Sequence, residues 1–125
     1  MKWFMLAAGG ICGTLGRYAL SNLVNRWTET QLPYGTFVVN VIGCFLIGML
    51  AALSDKRLLL NPEVRLFAVT GLLGAFTTFS SLIYESAQLT QQGQLAMALL
   101  NVLASIALGF IAFWVGSLVV DALVA

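Results

Sequence analysis

Apolar runs of membrane length leave almost nothing of this chain over. Segments from about Trp3 to Val24, Gly35 to Leu53, Val64 to Leu89 and Gln94 to Val120 are each long enough to cross a bilayer, which takes about 20 helical residues. Lipid offers the backbone no hydrogen bonds, so such segments must be helices. The expectation is an all-α membrane protein, one domain of four transmembrane helices over residues 1–125. Charged residues are 9% of the chain, where a soluble domain carries roughly 25%. Four helices are a thin scaffold for a conduit, so an oligomer is expected. A net charge of +1 with no His argues against a basic tail, nucleic-acid binding and His-based metal sites.

The third segment is the unusual one. It reads GLLGAFTTFSSLIYE from Gly71 to Glu85, with Gly71, Gly74, Thr77, Thr78, Ser80, Ser81 and Glu85 where a lipid-facing helix would carry Leu, Val or Ala. Glycine frees the backbone to leave the helix, and clustered hydroxyls can serve the groups so freed. A break between Gly74 and Thr78 is expected, lining a pore or a buried interface. The alternative is that Thr77 to Ser81 bond back to carbonyls four residues earlier within an intact helix.

The other segments carry fewer polar residues. Gly9 and Gly13 have the spacing that lets two membrane helices approach closely. Arg17 follows, a cation within a span that is either functional or snorkels toward the interface near Arg26 and Trp27. In the second segment Thr36, Asn40, Gly43 and Ile47 share one helix face. The Asn40 carboxamide either bonds a neighbouring helix or offers its N–H donors to a cavity. In the fourth, Asn101, Ser105 and Gly109 recur every four residues, a stripe suited to packing or to lining a pore.

The connections are legible too. Asn25 to Tyr34 reads as the first loop and Ser54 to Arg65 as the second, with Asn61-Pro62-Glu63 as an N-cap, a proline at the first helical position and a first-turn acid. Gln91-Gln92-Gly93 turns the chain into the fourth segment. Cys12 and Cys44 read as small buried residues within spans. Met1 to Ala8 resembles a signal peptide in outline, but the glycines up to Gly16 continue the same segment, so it is read as the first span. Four spans put both termini on one side with Lys2, Lys56, Arg57 and Arg65, against Arg26 opposite, which favours cytoplasmic termini.

The parts of an enzyme are missing from this sequence. Glu85 is the only acid within a span, no Ser has a visible base partner, and no phosphate-loop or paired-Cys pattern occurs, so no catalytic residue is assigned. The spans instead supply neutral donors in Asn40, Thr77, Thr78, Ser80, Ser81, Asn101 and Ser105, with Phe79 among them. Hydroxyl and amide donors can replace the water around an anion without trapping it by full charge. The positive edge of a phenyl ring can add to this.

GGICGTLGRY at Gly9 to Tyr18, LPYGTFVVNVIG at Leu32 to Gly43, and TGLLGAFTTFSS at Thr70 to Ser81 with Glu85 beyond resemble the bacterial Fluc (CrcB) fluoride channels over essentially the whole chain. The resemblance implies an antiparallel, dual-topology dimer of four-helix subunits in the bacterial inner membrane, conducting fluoride and conferring fluoride resistance. It implies a structural Na⁺ on the two-fold axis, held by backbone carbonyls that match Gly74 and Thr77. Asn40 matches the pore Asn, Phe79 the first pore Phe, Ser80 and Ser81 the hydroxyl track, and Arg17 the first-helix Arg near a vestibule. Thr78 and Glu85 match motif positions without an assigned role.

This chain departs from the family pattern in one material way. Leu82 stands where the second pore Phe belongs, and Ile83 where a Ser does. Leucine has no positive ring edge, so either the channel tolerates it or a paralogous subunit supplies the missing ring. A homodimer is the preferred reading, because the basic bias is modest and the other motif positions are present. Two rivals differ in class. A small multidrug-resistance exporter would need a carboxylate in its first helix, and none lies between Met1 and Thr28; a non-transporting packing protein would use these polar residues only to join helices.

Overall fold

The computed structural model describes residues 1–29, 32–56 and 61–124. It is all-helical, with four long passages. Helix α1 spans Lys2–Thr28 and α2 spans Tyr34–Asp55. The third passage is composite: α3 (Pro62–Arg65), a π-helical stretch (Leu66–Leu73), α4 (Gly74–Phe76) and α5 (Phe79–Gln91). Helix α6 spans Leu95–Val124. Among the described residues, three passages are long and apolar enough to cross a membrane, Tyr34–Asp55, Pro62–Gln91 and Leu95–Val124; α1, at 27 residues, is not one of the three.

Helix ends follow local chemistry. No Gly or Pro lies between Val24 and Thr28, so α1 runs a turn further than the loop expected from Asn25, and Asn25, Arg26 and Trp27 are helical. It stops where the Thr28 hydroxyl donates to the Val24 carbonyl (3.0 Å) and Glu29 adopts a left-handed cap, φ 46°. Asn61 caps α3 as expected, its Oδ1 accepting the Val64 N–H at 2.8 Å with Pro62 behind it. Helix α2 likewise continues through Ser54 and Asp55, which the sequence assigned to the second loop. Arg57, one of the basic residues in the orientation argument, lies outside the described residues.

Glycines set the helix contacts. A methyl group on Gly9 or Gly13 would strike the carbonyls of Phe67 and Leu72, so α1 lies directly against the π-helical stretch. The expected close approach is therefore made within the chain. On the other side, a methyl on Gly48 would strike the Phe113 carbonyl and one on Gly116 the Phe45 carbonyl, which brings the α2 and α6 backbones together. Val39, Leu73 and Phe76 form the core between these seams, with Leu20, Leu46 and Leu50 against them.

The third passage changes partner along its length. Before residues 77 and 78 it packs on α1; after them α5 packs on α6. A straight helix could not follow both, and the break is where it switches.

Candidate functional site

The break is narrower than the sequence suggests. Gly74 is itself helical (φ −61°, ψ −35°), and only Thr77 (φ −85°, ψ 153°) and Thr78 (φ −148°, ψ 114°) are extended. Two extended residues inside a membrane-length segment strand backbone donors and acceptors, each of which must find a partner or cost stability.

Asn40 meets most of this need. Its Oδ1 accepts the Thr78 N–H at 2.8 Å, and its Nδ2 donates to the Thr78 carbonyl at 3.0 Å. A carboxamide is the side chain that can do both at once. Of the two roles open to Asn40, bonding a neighbouring segment is therefore made; one Nδ2 hydrogen remains. In an unbroken helix the Thr78 N–H would bond the Gly74 carbonyl. Its diversion to Asn40 leaves that carbonyl without this donor.

The hydroxyls divide by role. Thr77 Oγ1 donates back to the Leu73 carbonyl at 3.0 Å, the back-bonding pattern, so what Thr77 has left to offer is its carbonyl. Thr78 Oγ1 caps α5 by accepting the Ser81 N–H at 3.2 Å, donates to Ser81 Oγ at 3.1 Å, and lies 3.4 Å from Ser80 Oγ. Thr78 thus starts the second helix and anchors both serines. Back-bonding accounts for Thr77 alone in this cluster.

A cavity of about 380 Å³ opens beside the break, lined by Asn40, Cys44, Thr77, Thr78, Phe79 and Leu82 among others. Phe79 is 70% exposed and sits at its rim, whereas Leu82 is 4% exposed and belongs to the wall. Ser105 lines the same cavity, its Oγ enclosed and without a hydrogen-bond partner among the described residues. Cys44 is half-buried there, but Cys12 is exposed on α1, which corrects the expectation that both are buried.

The remaining sequence candidates lie away from the break. Arg17 is half-buried on α1, one turn beyond Gly13, with its Nε enclosed and unpartnered among the described residues. Asn101 Nδ2 donates to the buried Ser86 Oγ at 2.9 Å, so this end of the polar stripe fastens α6 to α5. Glu85 Oε1 accepts from Thr36 Oγ1 at 2.7 Å, and Oε2 is enclosed without a partner among the described residues.

A glycine-laced composite helix, broken at two threonines and clamped by an Asn from its neighbour, now has a family. Residues 4–117 match the family described as CrcB-like protein, Camphor Resistance (CrcB). This chain belongs to the CrcB-like family. Among its relatives is the fluoride-specific ion channel FluC of Acidobacterium capsulatum, 42% identical over 125 residues, the whole of both chains. The protein of the same name from Maridesulfovibrio salexigens is 47% identical over 109 residues, 87% of this chain and 86% of its own. That of Nitrosococcus oceani is 41% identical over 116 residues, covering 93% and 91%.

Several contacts in this CrcB-like chain are not evident from sequence. The Thr36–Glu85 bond is one; its only signal is that Thr36 and Asn40 share a face, as do Ser81 and Glu85. The lock between Asn25 Oδ1 and the Gly35 N–H, at 3.0 Å, is another. A methyl on Gly35 would crowd Ser21 and Asn25, so this glycine allows α2 to start against the end of α1.

Proposed function

We propose that this protein is a passive fluoride channel of the bacterial inner membrane, built as an antiparallel dimer and protecting the cell from fluoride. The observation that carries the reading is full-length similarity to fluoride-specific channels, together with a break that leaves hydroxyl and amide groups around an otherwise apolar cavity. After the backbone is served, one Asn40 hydrogen, the Ser105 hydroxyl and the edge of Phe79 remain for an anion, all uncharged. HF enters cells as the neutral acid and dissociates in the cytoplasm. The membrane potential then drives F⁻ out, at about 2.3 kcal/mol per charge per 100 mV. This needs neither ATP nor a proton-coupled acid.

Helix α1 is the fourth crossing in this reading. At about 1.5 Å per residue its 27 residues reach roughly 40 Å, and it lies along the third passage at Gly9 and Gly13. The residues also fit a Na⁺ at the dimer axis. Gly74 is exposed, its carbonyl is released by the Asn40 clamp, and Thr77 has turned its hydroxyl inward, leaving neutral carbonyl oxygens of the kind a hard cation takes. Two copies of each would supply four ligands and tie the subunits together. Arg17 would draw anions toward the vestibule.

The test is F⁻ efflux under a K⁺/valinomycin potential from liposomes holding this chain alone, beside Leu82→Phe. Robust efflux from the unmodified chain is expected and establishes a homodimeric channel in which Leu82 suffices. Silence rescued by Leu82→Phe or by a paralogous subunit makes it half of a heterodimer. Silence throughout returns the polar residues to helix packing.

A further inference from the structure

A second cavity, of about 290 Å³, lies between the end of α1, the chain leading into α2 and the last turns of α5. Its character is opposite to that of the cavity at the break. Asn25, Glu85, Gln88 and Gln92 line it, over a floor that includes Pro33 and Leu89. No Lys or Arg is among the lining residues, so its formal charge is −1.

Following each polar group shows which atoms are left. Glu85 Oε1 takes the Thr36 hydroxyl, and Oε2 is enclosed with no partner among the described residues. Gln88 Nε2 donates to Tyr84 Oη at 3.2 Å, which leaves its carbonyl oxygen. Asn25 Oδ1 is held by the Gly35 N–H. The unused acceptors are therefore Glu85 Oε2 and the side-chain oxygens of Gln88 and Gln92, with carboxamide N–H donors, Asn25 Nδ2 among them, beside them. The C-terminal end of α5 lies here as well, at Gln92, and its dipole adds partial negative charge. An enclosed carboxylate oxygen without a partner calls for an ion or a proton.

We propose that this cavity is a binding site for a monovalent metal cation, sodium or potassium, held by the Glu85 carboxylate and the side-chain oxygens of Gln88 and Gln92. Hard oxygen donors of mixed charge suit such an ion. A monovalent cation brings the site to neutrality, whereas a divalent one would leave an uncompensated positive charge in a partly enclosed space. The site is separate from the Gly74 and Thr77 carbonyls, and its occupancy does not depend on fluoride conduction.

The experiment is equilibrium binding of radiosodium, competed with K⁺, to the purified full-length protein in fluoride-free N-methylglucamine buffer. Glu85→Gln keeps an acceptor for Thr36 but removes the charge; Gln92→Leu alters an exposed residue and leaves the fold alone. The expected result is that each variant loses one class of bound sodium, while any ion at the break survives both. Wild-type binding unchanged in both variants, or no sodium bound by the wild type, overturns the proposal. Fluoride efflux is measured separately, so a failed channel reading and a failed cation site are distinguishable.

Discussion

The α2–α6 seam and the break in the third passage solve opposite problems with different residues. At the seam, Gly48 and Gly116 bring two intact helices so close that backbone carbonyls occupy the space of side chains, and no side-chain hydrogen bond is needed. At Thr77 and Thr78 the helix is interrupted, and Asn40 and the Thr78 hydroxyl replace the missing bonds. In a membrane, polar side chains first repair the backbone, and only what they leave unspent can serve an ion.

Asn40→Leu breaks this contrast most severely. It strands the Thr78 N–H and carbonyl together, and at about 1–3 kcal/mol for each buried unsatisfied group the loss is roughly 2–6 kcal/mol. Thermal unfolding of the purified protein in detergent reads it. Gly48→Ala attacks the seam instead, where the new methyl meets the Phe113 carbonyl and α6 must move; about 1–3 kcal/mol is expected by the same assay. Thr78→Val removes the cap of α5 but leaves the Asn40 clamp, which takes only backbone atoms of residue 78. About 1 kcal/mol of stability is lost, and the freed Ser81 should alter fluoride efflux more than stability. Smallest is Lys56→Ala, which removes the 3.3 Å ion pair to Asp121 joining the ends of α2 and α6. Half-exposed, that pair is worth about 0–1 kcal/mol, and the effect should fade in high salt.

Much of this was open to a reading of the residues, because membrane helices leave few alternatives. Helix positions followed from apolar length, and the Asn61 cap and the third-passage break from composition. The break's exact place was not, since it depends on Asn40 reaching Thr78 across 38 positions of chain, and Gly74 remains helical. Long-range polar pairs such as Thr36–Glu85 and Asn101–Ser86 left only a periodicity, not a partner. The π-helical stretch left no distinguishable pattern. Leu82 stands out in the sequence as a departure, but its burial in the cavity wall is a property of packing.

Asn40→Asp tests the central claim most directly, because a carboxylate can still accept the Thr78 N–H but puts a negative charge beside the cavity and loses the donor to the Thr78 carbonyl. Fluoride efflux from proteoliposomes, with the oligomer checked by size-exclusion chromatography, is the measurement. The account predicts an assembled protein with fluoride efflux abolished. Efflux at the unmodified rate from an equally well assembled Asn40→Asp protein would contradict it.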